Sequence, residues 1–293
     1  MRIPLSLIAA LALCLPLVAQ AATNVNERHP LGAGGRVEIS NIAGKVTVRG
    51  WDRSDVALTG SMADGLTLKQ DKSSNRVRWE VEYPRGRSNG GATLELRVPR
   101  SVEVQLGTIS ADIDVADIDV RRLQANSVSG SITAAGRSGE TTLNTVSGGI
   151  RSQLQTARLD ARTVSGQLLA GGGASGEVAA ESVSGRVNVN AGRIQRLAVE
   201  TVSGSLDVSA TGMAPGGKVT MQTVSGSVAL KLPATVSAQL NVKTFSGGIQ
   251  SDAGQVEKPR YGPGSSLDAR LGSGDGDISI NSHSGSVRVS LGR

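Results

Sequence analysis

From about residue 120 onward the chain alternates apolar and polar residues in short runs, and the runs recur at a nearly constant interval. Leu123 and Ala125, Leu197 and Val199, Val219 and Met221, Leu240 and Val242, and Ile278 and Ile280 are separated and flanked by Gln124, Asn126, Glu200, Thr220, Gln222, Asn241 and Lys243. Alternation with a period of two marks strands with one buried face. Each run leads into a short phrase of a small polar residue, usually Val, then Ser-Gly. Two residues beyond that glycine the chain is always aliphatic, at Ile132, Ile150, Leu168, Val187, Leu206, Val228, Ile249 and Val287.

The phrase occurs eight times. Its serine and glycine are Ser129 and Gly130, Ser147 and Gly148, Ser165 and Gly166, Ser184 and Gly185, Ser203 and Gly204, Ser225 and Gly226, Ser246 and Gly247, and Ser284 and Gly285. Successive glycines are 18, 18, 19, 19, 22, 21 and 38 residues apart. Such a period belongs to stacked supersecondary units, so the predicted fold is all-β: a single-stranded parallel β-solenoid of about 19-residue rungs.

Counted from the glycine, the apolar residues at minus seven and minus five have one parity, and those at minus two, plus two and plus four the other. The alternation therefore slips by one residue within the phrase, which predicts a bend or bulge at the Ser-Gly corner. Stacked rungs would align the aliphatic residues into a core. They would also align the eight serines into a column of hydroxyls, hydrogen-bonded along the axis or to the corner backbone. A nucleophile elbow needs glycine on both sides of its serine, with a histidine and an acid nearby, so these serines are read as structural corners.

The contour continues backwards in weaker form, with Thr108-Ile109-Ser110-Ala111 19 residues ahead of Ser127-Val128-Ser129-Gly130, and Asn41-Ile42-Ala43-Gly44 earlier still. Further alternating runs fall at residues 77–81, 94–98 and 102–106, with a Gly- and Pro-containing hairpin loop over Tyr83 to Ala92. The expected organisation is a signal peptide at 1–21, a less regular β region capping the solenoid at 22–106, and solenoid repeats at 107–293. An excursion at 251–276 carries Pro259, Tyr261 and Pro263.

Arg2, the apolar run from Ile3 to Val18 and the small residues Ala19 and Ala21 predict export, with cleavage between Ala21 and Ala22. The sole cysteine, Cys14, lies in this segment, so the predicted mature chain has no thiol chemistry or disulfide. No later segment reads as a transmembrane helix. The 31 basic and 25 acidic residues give a net charge of +6, but they are interspersed, which argues against a nucleic-acid partner. The 38 glycines and five aromatic residues suit tight turns between short strands.

Candidate chemistry is sparse. His29 and His283 are far apart, and His283 stands where the phrase usually has Val, which favours a packing role. Asp112 and Asp114 share the solvated side of a strand. Gly272 to Asp277 has a composition suited to calcium but not the register of a nonapeptide repeat. No catalytic residue, cofactor or metal site is predicted.

The repeated phrase, Ile42-Ala43-Gly44-Lys45-Val46-Thr47-Val48 followed by Gly50-Trp51-Asp52, and the export signal together give the chain a resemblance. Over residues 36 to 293 it resembles the bacterial putative-adhesin family of β-strand repeat proteins, a family of unknown function similar to toastrack-type envelope domains. The resemblance implies a β-solenoid at the cell envelope and carries over no catalytic residue. The expected role is a non-enzymatic exported adhesin-like or scaffolding protein, periplasmic or at the cell surface. Its partner would be an envelope protein or polysaccharide. The alternatives are a polysaccharide-active β-helix enzyme, which the few aromatics disfavour, and a periplasmic sensor module in envelope-stress signalling.

Overall fold

The computed structural model describes residues 22–84, 90–260 and 263–292. The predicted signal peptide, the central part of the predicted hairpin loop and Tyr261 lie outside these. The N-terminal strands are β1 (Thr23–Pro30), β2 (Arg36–Asn41), β3 (Gly44–Gly50), β4 (Asp55–Met62), β5 (Thr67–Ser73), β6 (Arg76–Glu82) and β7 (Ala92–Val98). The middle of the chain forms β8 (Glu103–Thr108), β9 (Asp112–Ser127), β10 (Ile132–Thr145), β11 (Ile150–Ser165), β12 (Leu168–Ala170), β13 (Gly176–Ser184), β14 (Val187–Ser203) and β15 (Leu206–Ser225). The last six are β16 (Val228–Pro233), β17 (Ala238–Ser246), β18 (Ile249–Ser251), β19 (Ser265–Leu271), β20 (Gly276–Ser284) and β21 (Val287–Gly292). The architecture is a β-solenoid, and no helix among the described residues is long and apolar enough to cross a membrane.

Each rung has two arms joined at the phrase, and equivalent residues of neighbouring rungs pair in parallel. Two inward columns precede the corner, one running Val104, Leu123, Thr141, Leu159, Val178, Leu197 and Val219, the other Leu106, Ala125, Leu143, Ala161, Ala180, Val199 and Met221. After the corner, Ile113, Ile132, Ile150, Leu168, Val187, Leu206 and Val228 form the facing column. All are buried, because their alternation keeps every second side chain in one continuous core.

Chain order and stack order agree only in the middle. The β20–β21 rung, last in sequence, lies between the rung of β15 and β16 and that of β17 and β18. The excursion before it contributes β19, which pairs antiparallel with β17 and closes that end of the stack. At the other end the β2–β3 rung lies between β6–β7 and β8–β9. There β5 on β6, β4 on β7 and β1 on β4 are antiparallel. These antiparallel strands replace an open parallel edge, the usual hazard of a solenoid.

The corner glycines are fixed by close approach. A Cβ on Gly148 would stand 2.2 Å from the carbonyl oxygen of Gly130, one on Gly204 1.9 Å from that of Gly185, and one on Gly285 1.9 Å from that of Gly226. Backbone lies on backbone here, and no side chain fits.

The hydroxyl column differs from the sequence expectation. The eight serines beside the glycines are exposed, and the buried hydroxyls lie two residues earlier, at Ser127, Thr145, Thr163, Ser182, Thr201, Thr223, Thr244 and Ser282. The reason is where the slip falls. The hydroxyl residue stays in phase with the core strand before it, and the next two side chains both turn outward before the glycine restores the inward phase.

The corners also change their hydrogen bonding along the stack. The N–H groups of Gly130 and Gly148 donate to the hydroxyls of Ser127 (2.9 Å) and Thr145 (3.1 Å) in their own rungs. At Gly166, Gly185, Gly204, Gly226 and Gly285 the N–H donates across to the next rung, as from Gly185 to the carbonyl of Ser203 (3.2 Å) and from Gly204 to that of Ser225 (3.0 Å). In this second arrangement the buried hydroxyl oxygens of Ser182, Thr201, Thr223 and Ser282 have no hydrogen-bond partner among the described residues.

One outward column, eight residues before each corner, alternates in charge over seven rungs: Arg36, Glu103, Arg122, Glu140, Arg158, Glu177 and Arg196. Arg36 meets Glu103 at 2.9 Å, Arg122 meets Glu140 at 2.7 Å, and Arg158 pairs with Glu177. Hydrogen bonding from Arg36 holds the Glu103 carboxyl below its ordinary pKa, with Arg121 adding to the effect against the opposing cost of burial.

Gly204→Ala should lower the unfolding midpoint by several degrees, because overpacking costs about 1–3 kcal/mol. Gly212→Ala, with nothing within 4 Å of the added Cβ, should leave it nearly unchanged in the same thermal melt. Urea titration should separate the two corner types: Thr145→Val loses about 1–2 kcal/mol, whereas Thr223→Val is neutral or stabilising because it removes an unsatisfied buried hydroxyl. For Glu103→Gln we expect a loss of about 0.5–1 kcal/mol at neutral pH, modest because the arginines are half exposed. A depressed folded-state pKa stabilises above the unfolded value, so the gap between wild type and variant should close as pH falls through the folded pKa of Glu103.

Candidate interaction surface

The outward slip at each corner has a second effect. The residue between the buried hydroxyl and the serine, in phase with the core by parity from the far side of the corner, is on the surface. In stack order these residues are Ile42, Ile109, Val128, Val146, Val164, Val183, Val202, Val224, His283 and Phe245. The nine apolar ones are 38% to 53% exposed, whereas core aliphatics one residue away in phase are at or near zero. This is a correction to the sequence reading, which grouped Val at minus two with the core. The signal for it was present in the hydroxyl residue, always small and polar and in phase with minus five and minus seven.

Because β20 lies next to β17, His283 and Phe245 are neighbours on this stripe. Their rings stack with centroids 4.9 Å apart and planes within 4°. A His in place of Val is thus a stacking partner for the sole Phe. His29, far away, donates from Nε2 to the Ser73 carbonyl, 3.0 Å off.

Beside the stripe runs a groove of about 820 Å³. One wall is Val164, Val183, Val202 and Val224 with His283; the other is Asn144, Arg162, Glu181, Glu200, Gln222 and Asn281. Both walls are the same two repeat positions taken from successive rungs, so the groove offers a recurring set of contacts and no convergent cluster. Arg162 is held by Asp160 (3.0 Å) and Glu181 (3.4 Å). On the first strand arms, Asn144 donates to the side chain of Asn126 at 2.9 Å and Arg137 to that of Gln155 at 3.1 Å, rung to rung.

The predicted corner residues occupy two adjacent lines: the glycines stack inward, and their serines face solvent alongside the apolar stripe. Asp114 is paired with Lys45 (3.2 Å) and Arg49 (3.1 Å); burial raises its pKa, but these two cations outweigh that and hold the carboxyl below its usual range. Among the described residues, no three His, Cys, Asp or Glu side chains are grouped as metal ligands.

No functionally curated protein matches the chain. A putative adhesin from Bacteroides fragilis shares 9% identity over 92% of this chain and 98% of its own, with a TM-score of 0.40. A putative lipid binding protein from Parabacteroides distasonis shares 12% over 91% and 96%, at 0.41, and a putative cell adhesion protein from Clostridium sporogenes 10% over 92% and 100%, at 0.28. The Toastrack DUF4097 family model matches residues 36–290, nearly the whole stack, and the chain belongs to that family.

Proposed function

We propose that this chain is a non-enzymatic, exported interaction protein of the bacterial cell envelope, adhesin-like or scaffolding in role. The observation that carries the reading is repetition: every outward column presents the same position from rung to rung, and the groove beside the apolar stripe is built from two such columns. A surface of recurring weak contacts gains strength through multivalency when its partner also repeats. That suits an envelope polysaccharide or a protein displayed in many copies. The sequence-predicted signal peptide and membership of the Toastrack family support the envelope as the setting.

Immobilised residues 22–293, challenged with solubilised envelope fractions and a glycan array, should retain an envelope protein or polysaccharide saturably. Cell fractionation should find the processed chain outside the cytoplasm. Retention of nothing from either source, or a cytoplasmic chain, would overturn the reading.

A further inference from the structure

We infer that the apolar stripe is a self-association surface on which a second copy of this chain docks antiparallel. The stripe has ten successive rungs from Ile42 to Phe245, nine of them half-exposed hydrophobics. At about 4.8 Å per rung it is about 43 Å long. Soluble monomers rarely leave so continuous an apolar line uncovered.

The pitch selects the occupant. An extended strand presents side chains on one face every ~6.7 Å, and a helix repeats every ~5.4 Å, so neither keeps step with the stripe over ten rungs. A second copy has the same pitch by construction, so each residue of the stripe can meet one of the partner's along its whole length. A two-fold contact of this kind is self-complementary and closes on itself.

Charge selects the direction. The column beside the stripe reads Asn126, Asn144, Arg162, Glu181, Glu200 and Gln222 along the stack. The midpoint of the ten-rung stripe lies between the rungs of Arg162 and Glu181. A two-fold axis there sets Arg162 against the partner's Glu181, and Asn144 against the partner's Glu200. In a parallel dimer the two-fold axis would run along the stripe and carry the two copies of this column to opposite sides of it, so no Arg162–Glu181 pair could form. A footprint about 43 Å by about 10 Å per copy is at the small end of specific interfaces, so the dimer should be weak, with Kd in the range of about 1–100 µM.

Sedimentation velocity of residues 22–293 across about 1–500 µM tests this. We expect a reversible monomer–dimer equilibrium. Val183→Asp, at a surface position, should weaken it at least about 100-fold with an unchanged thermal midpoint. Arg162→Glu should weaken it about tenfold, and adding Glu181→Arg should restore it. A wild type that stays monomeric throughout, or a dimer indifferent to Val183→Asp, overturns the proposal. So does a monomer that floats with anionic phospholipid vesicles through Val183, since the stripe would then face lipid.

Discussion

The contact on which this structure depends is one of backbone against backbone at the corner. Each corner glycine lies under the carbonyl of the glycine in the preceding rung, so close that a single methyl group would sit inside van der Waals contact. The approach sets the rung spacing at the point where both arms meet, and the pairing of both arms follows from it. Core ladders, hydroxyl column and surface stripe are all read out from the same register. Between Gly44 and Gly130 the column holds Ala111, the one member of these rungs that carries a Cβ.

Where glycine sets spacing, charge sets neighbours. Parallel rungs of nearly equal length could slip past one another by a whole repeat with little change in the apolar core. The alternating column from Arg36 to Arg196 resists this, because a slip of one rung places like charges together. The change in corner hydrogen bonding between Gly148 and Gly166 shows the same position solving one problem in two ways. A glycine N–H can be satisfied by its own rung's hydroxyl or by its neighbour's carbonyl, and from Gly185 to Gly285, where it chooses the neighbour, the hydroxyls of Ser182, Thr201, Thr223 and Ser282 are left idle among the described residues.

Much of this was legible in the residues. The period of the Ser-Gly phrase led to the solenoid, and the alternation on either side of it located the core columns, since both signals are local. Parity also located a slip within four residues, but it left open on which side of Val the slip falls. Counting from plus two outward makes Val a core residue, and only the hydroxyl residue, in step with minus five, breaks the tie. Non-local order was out of reach. Nothing in the phrase around His283 says that its rung lies between those of Val224 and Phe245, because the pairing of 21-residue and 38-residue neighbours depends on which edge the excursion leaves open. The charge column was visible only once the rungs were aligned eight residues before the corner, although the residues themselves were in plain view.

The out-of-order rungs at the two ends give this solenoid a grammar for growth. Between the phrases of Ser127 and Ser225, a duplicated or deleted unit would leave its neighbours adjacent in both chain and space, and only the length of the stack would change. At the carboxyl end the same event would alter a rung held on both sides by strands made earlier, with β17 and its antiparallel partner β19 stranded beyond it. During synthesis, too, the far end must wait: β17, β18 and β19 have no stack to join until the final residues thread between them and β15. The chain can therefore vary in the middle but must be completed at its tail, and the last rung acts as a keystone.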